Sequence, residues 1–136
     1  MLIVDANIVL RYLLFDNVEL AEKASEIIEN NKVFIPFEVA AEIVYVLEKV
    51  YKVERPEISR SIKELLGSDN IQTYDSDVLN KALDIFSSKK IDFVDTLLCG
   101  YSLVRGEEVK TFDKKINKYI QKEKGKSDKR PDDPIA

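Results

Sequence analysis

The chain has 136 residues, enough for one sizeable core and too few for two. It carries no histidine, a single cysteine and four scattered glycines. These absences exclude a Ser-His-Asp triad, histidine-ligated metals, an internal disulfide, a dinucleotide fingerprint and a P-loop. A net charge of −4 excludes a general nucleic-acid binder of the basic type, so any polyanion must be met through metal ions or a local basic patch. No apolar run reaches the roughly 18 residues of a membrane span. The opening MLIVDANIVLRYLL lacks a basic leader and is interrupted by Asp5, which is not the pattern of a secretion signal. With Cys99 unable to pair, the expectation is a cytoplasmic protein.

In chain order, residues 2–4 form a short apolar run suited to a buried strand. Residues 7–15 and 19–30 read as helices, the second closed by the Asn30-Asn31 pair as a C-cap. Residues 33–35 are the next strand, and Pro36 fits the first turn of a helix reaching residue 51. Pro56 opens a helix that runs to Leu66 and stops at Gly67. Residues 71–74 alternate as a strand, and Ser76 is the expected N-cap of a helix to residue 88. Asp92 is the expected N-cap of the next helix, with Asp95 in its third position and Gly106 just past its end. Residues 109–112 complete the strands, and 114–122 give a last helix. Strands alternating with helices imply an α/β sandwich around a central, mostly parallel sheet. The domain is expected over residues 1–122. Residues 123–136, charged and carrying Pro131 and Pro134, read as a flexible tail.

Asp5 directly follows the first strand run and Asp113 the last. Both should sit at carboxyl ends of strands, the edge where open parallel sheets bind ligands. Glu42 lies at the rim of an apolar stripe formed by Ile43, Leu47 and Val50, with Ala40 and Ala41 leaving space beside it. Asp95 occupies a first helical turn and shares a face with Asp92 and Cys99. Singly, each acid has an ordinary reading: a turn or cap aspartate, a helix-dipole acid worth about 0.3–1 kcal/mol, or a glutamate that reaches water or pairs with Lys49. Together, several acids at one sheet edge repel one another. They are most simply retained if they hold hard cations through oxygen, which suits Mg²⁺ or Mn²⁺.

These segments resemble, in order, the four motifs of PIN-domain nucleases. VDANIVLRYLL resembles the first, a strand ending in Asp5 with a polar residue, Asn7, two positions on. FEVAAEIVYVLEKVY is similar to the second, with Glu42 as its acid, and IDFVDTLLCGYSL to the third, with Asp95. VKTFDKKI is similar to the fourth, where Asp113 follows Thr111 and Phe112. The likeness spans nearly the whole domain and is greatest to the small single-domain members, among them the toxins of VapBC toxin–antitoxin pairs. It implies a three-layer α/β/α sandwich and metal-dependent hydrolysis of RNA phosphodiester bonds. Asp5, Glu42, Asp95 and Asp113 would be the catalytic, metal-holding acids, with secondary roles for Asn7 and Thr111. It also implies a homodimer and, for a toxin, a small antitoxin partner. Asp92 is an additional acid in a secondary position.

The RNA backbone would need cations besides the metals. Arg11, which follows the first motif, and Lys114 and Lys115, within a basic stretch that includes Lys110 and Lys118, are the candidates. Tyr12, Tyr45 and Tyr101 are candidates for base stacking, though packing is the commoner role. Exposed apolar residues on the helices that begin at Phe37 and Pro56 would supply a dimer contact. Two other readings compete. One is a catalytically silent PIN-like module that binds RNA or protein, against which the retention of all four acids argues. The other is a Mg-dependent phosphatase or receiver domain, which wants an Asp where Asn7 stands, or one closely following the strands at Val33 or Ile71.

Overall fold

A computed structural model describes residues 1–128. The elements are β1 (Leu2–Ile3), α1 (Ala6–Leu14), α2 (Val18–Glu29), β2 (Val33–Phe34), α3 (Phe37–Lys49), α4 (Arg55–Leu66), β3 (Ile71–Gln72), α5 (Ser76–Ser88), α6 (Phe93–Arg105) and α7 (Lys114–Asp128). The strands are all parallel in the order β1-β2-β3, with Leu2 opposite Val33 and Val33 opposite Ile71. Helices carry the chain from each strand to the next, as parallel pairing requires. This is the α/β/α architecture expected from the alternation, built on a small sheet.

Local chemistry sets the helix starts. Asp5 accepts a hydrogen bond from the Ile8 amide at 3.0 Å, and Asn17 accepts one from Leu20 at 3.1 Å. At α5 the N-cap is Asp75 rather than the expected Ser76; its carboxylate accepts from the Val78 amide at 3.1 Å. A charged acceptor next to a hydroxyl takes the cap because it also meets the positive end of the helix. The Asn pair closes α2 as expected, with the Asn30 and Asn31 side chains donating to the Glu26 and Ile27 carbonyls. Gly106 ends α6 in the left-handed region at φ 71°.

Three expectations need correction. Residues 109–112 form no strand, so Asp113 does not follow a strand end as expected. Their polar groups are spent locally: the Thr111 hydroxyl accepts from the Asp113 amide, and the Thr111 carbonyl accepts from the Asn117 side chain. Val109 packs on the small cluster under α7 instead of on the sheet. Such local bonds compete with a ladder. Consequently β1 is an edge strand, and Leu2 and Ile3 are exposed rather than buried; only Val4 of that run lies in the core. Finally, α7 continues to Asp128, past the expected helix end at residue 122. Residues 129–136 of the expected tail lie outside the described residues.

The main core gathers Val9, Ile43, Val44, Leu79, Leu83 and Phe86 beneath the helices. A second cluster, Ile85, Ile91, Cys99, Ile116 and Ile120, seats α7 on α5 and α6. Burial, then the charge of Asp95, pushes the Cys99 thiol up to about 11. It is therefore a neutral core group at ordinary pH.

α5 and α6 approach closely at Gly100. A Cβ there would stand 2.9 Å from the Val78 carbonyl oxygen and 3.2 Å from a Val78 methyl. Helix propensity favours Ala over Gly by about 1 kcal/mol, but overpacking costs about 1–3 kcal/mol, and the obstacle is backbone. Gly100→Ala should therefore lower the melting temperature. A rise would show that α5 and α6 separate at little cost.

Candidate active site

Asp5 leaves the sheet where β1 gives way to α1. Capping commits its Oδ1 to the Ile8 amide and fixes the carboxylate at that junction. Asn7, in the first turn of α1, is exposed. Glu42 is also exposed; Lys49, its suggested partner, instead lies 3.8 Å from Glu48. Asp113 sits ahead of α7 and accepts from the Lys115 and Ile116 amides at 2.8 and 3.1 Å, while Thr111 holds the Asp113 amide at 3.1 Å. Thr111 thus fixes the turn that presents Asp113.

The first turn of α6 carries Asp92 and Asp95. Asp92 has the extended backbone of an N-cap, and its carbonyl accepts from the Thr96 amide, yet its side chain makes no capping bond. Its carboxylate is therefore uncommitted, unlike those of Asp5 and Asp75. Asp95 is half-buried one turn further on. Burial first, and then the charges of Asp92 and Asp113, raise the Asp95 pKa above its ordinary value. The structure therefore brings Asp92, Asp95 and Asp113 within charge coupling. Neither Asp5 nor Glu42 contributes to that shift.

Beside this turn, a cavity of about 420 Å³ opens between α3 and α6, with Val44, Tyr45, Glu48, Asp92, Phe93 and Asp95 in its wall. Its size is that of a small-ligand site.

Several acids outside this group are taken up by counter-charges, while others, such as Glu38, Glu57 and Asp69, are not. Asp16, Glu48, Asp75, Asp77 and Asp84 each face an Arg or Lys. Arg105 holds the Asp75 carboxyl down at about 2. Among the described residues, Asp5, Glu42, Asp92, Asp95 and Asp113 form no ion pair. Their donors are all hard oxygens, the chemistry that Mg²⁺ and Mn²⁺ take. Among the same residues, no three acidic or thiol groups converge closely enough to enclose an ion. The donors suit a divalent cation in type and charge, but the described residues do not gather them into one closed site.

The expected basic contacts fare differently. Arg11 donates to both Asp16 oxygens at 2.7 and 2.9 Å and to the Tyr51 hydroxyl at 2.9 Å, so its guanidinium ties α1 to the end of α3. Lys115 donates to the Lys90 carbonyl. Lys114 is exposed. Tyr101 packs against Phe37, and Tyr12 lies against the core, whereas Tyr45 is exposed. On α4 the apolar residues Ile58, Ile62 and Leu65 are buried, which removes that helix as a source of dimer contacts. On and just after α3, Tyr45, Val50 and Tyr51 are exposed.

One residue near the site was missed in the sequence. Arg55 bonds Glu48 at 2.7 Å and the Lys89 and Ile91 carbonyls at 2.9 and 2.8 Å, the last immediately before Asp92. The available signal was its place at the start of a helix, where the dipole disfavours a cation.

A sequence model described as the PIN domain matches residues 2–121. A VapC ribonuclease of Aquifex aeolicus (strain VF5) is 29% identical over 91 residues, covering 66% of this chain and 67% of that protein. No solved structure matches.

Proposed function

The chain belongs to the PIN domain family, and from that premise we propose that it is a metal-dependent endoribonuclease, the toxin of a toxin–antitoxin pair acting in the cytoplasm. The observation that carries this reading is the electrostatic coupling of Asp92, Asp95 and Asp113, with Asp95 half-buried and none of the three in an ion pair among the described residues. The VapC ribonuclease relative supports RNA as the substrate.

A bound Mg²⁺ or Mn²⁺ would supply a polarised water and offset the charge of the scissile phosphate. Asp5, Glu42, Asp95 and Asp113 are the residues assigned to hold it, and Asp92 is placed to join them. Asp5 and Asp113 are held by the backbone amides they cap, so little reorganisation is needed. Thr111 positions Asp113, and Asn7 stands one short step from Asp5. The half-buried Asp95 is the least hydrated of the coupled acids and the most in need of a cation.

RNA approaching this acidic centre needs basic support. Lys114, Lys118 and Lys122 recur every four residues along the exposed side of α7, opposite Ile116 and Ile120. They begin one residue after Asp113 and offer a track for phosphates. The exposed Tyr45, Val50 and Tyr51 suit a homodimer or an antitoxin contact. Among the described residues, no helix is long and apolar enough to cross a membrane.

The test is incubation of the purified chain with RNA in Mg²⁺ or Mn²⁺, with chelator, and in parallel with Asp5→Asn. Cleavage should require metal and fail in Asp5→Asn. Equal cleavage by both proteins, or none by the wild type free of antitoxin, would overturn the nuclease reading. The second outcome is the one a silent binding module gives.

A further inference from the structure

We propose that Arg55 is a positioning residue for the candidate active site: its guanidinium fixes the Lys89–Ile91 turn and thereby sets Asp92 and Asp95 at the head of α6. The proposal rests on the nuclease reading for its purpose, but the mechanical claim stands on Arg55's own contacts.

Arg55 begins α4, where the positive end of a helix disfavours a cation. What holds it there comes from other elements. Nε donates to Glu48 on α3 at 2.7 Å. Nη1 points at three carbonyls, those of Phe86 at 3.4 Å, Lys89 at 2.9 Å and Ile91 at 2.8 Å. The guanidinium carbon stands 4.0 Å from the Phe86 ring centroid. A guanidinium can donate in several directions while lying flat on a ring; an ammonium cannot reproduce that fork.

These partners bear on the site. The carbonyls at the end of α5 lack helical donors, and a cation is the favoured group at a helix C-terminus. Arg55 supplies it and continues to Ile91, the residue before Asp92. Three helix starts are fastened by their own cap side chain, Asp5 at α1, Asn17 at α2 and Asp75 at α5, while α3 and α4 have no such bond. At α6 the Asp92 side chain performs no such bond. Arg55 fastens that turn through the Ile91 carbonyl, and the Asp92 carboxylate stays exposed and makes no capping bond. Glu48 and Phe86, both touched by Arg55, also line the cavity shared with Asp92 and Asp95. One side chain therefore locks the cavity wall and the acidic turn together.

The experiment compares wild type with Arg55→Lys, Glu48→Gln and Arg105→Met. Arg105→Met removes a different ion pair, with Asp75, as a control for general loss of stability. Three readouts are taken: amide hydrogen exchange of Phe93–Thr96, the Mn²⁺ concentration for half-maximal thermal shift, and kcat against KM on a short RNA. Arg55→Lys should speed exchange at Phe93–Thr96 and raise the Mn²⁺ midpoint about tenfold or more, the usual cost of losing a group that orients ligands. It should lower kcat with KM nearly unchanged. Glu48→Gln, a milder change that keeps the carbonyl contacts, should move the same readouts in the same direction by less. Arg105→Met should lower the melting temperature and leave the exchange and the midpoint alone. If Arg55→Lys and Glu48→Gln melt earlier yet keep wild-type exchange at Phe93–Thr96 and the wild-type midpoint, Arg55 is only a stabilising contact and the proposal fails. If wild type neither cleaves RNA nor responds to Mn²⁺, the nuclease reading fails, while the exchange data still decide whether Arg55 fixes the turn.

Discussion

Replacing Asp95 by Asn should reduce RNA cleavage by on the order of a hundredfold or more, while raising the melting temperature of the metal-free protein at neutral pH. Asn keeps the volume and the helical position but removes the charge that a cation needs. The stability effect has the opposite sign because Asp95 is electrostatically costly. The helix dipole attracts its carboxylate, yet burial and the charges of Asp92 and Asp113 outweigh that attraction, as its raised pKa records. Its folded pKa lies above the unfolded value of about 3.9. The cost of its charge is therefore absent below that value and grows as pH rises through the folded pKa. The melting-temperature gain of Asp95→Asn in chelator should be present at pH 7 and vanish near pH 3. A variant that loses both activity and stability at pH 7 would make Asp95 a structural acid.

Phe86→Ala should be the most disruptive single core change near the site, at about 3–5 kcal/mol. Phe86 is 1% exposed, meets Phe93 edge-to-face at 5.8 Å and lies under the Arg55 guanidinium. Truncation leaves a void between α5 and α6 and takes away the surface on which Arg55 rests. For a domain of this size the midpoint of thermal unfolding should fall by about 10 °C or more. A fall of only a degree or two would mean that the helices close over the gap, and that Arg55 does not need the ring.

Helices were legible in the sequence because their signals are local. The Asn30-Asn31 pair, Pro36 and Pro56, Gly67 and Gly106 mark ends through chemistry within one turn of the backbone. The error at α5, Ser76 for Asp75, is of the same local kind: two capable caps stand side by side and the charged one wins. Strands were less legible. Val109 and Phe112 satisfy β propensity, but whether they join a ladder depends on competition from Thr111, Asn117 and the cluster under α7. The motif acids were proposed from sequence positions: the end of a strand run for Asp5 and Asp113, the rim of an apolar stripe for Glu42 and a first helical turn for Asp95, although the run before Asp113 forms no strand. How near their oxygens come to one another is a tertiary quantity, and so is the greater prominence of Asp92, which follows from a capping bond it does not make. Arg55 was invisible because most of its partners are backbone carbonyls more than thirty positions away, and a carbonyl has no residue identity to read.

Asp5, Glu42, Asp95 and Asp113 are proposed to form one cation-holding centre. Crystals soaked in Mn²⁺ and measured at the manganese edge test this most directly. An anomalous peak with carboxylate oxygens of Asp5, Asp95 and Asp113 at about 2.0–2.3 Å is the predicted result. Manganese bound elsewhere on the molecule, with these carboxylates unchanged at saturating metal, would contradict it.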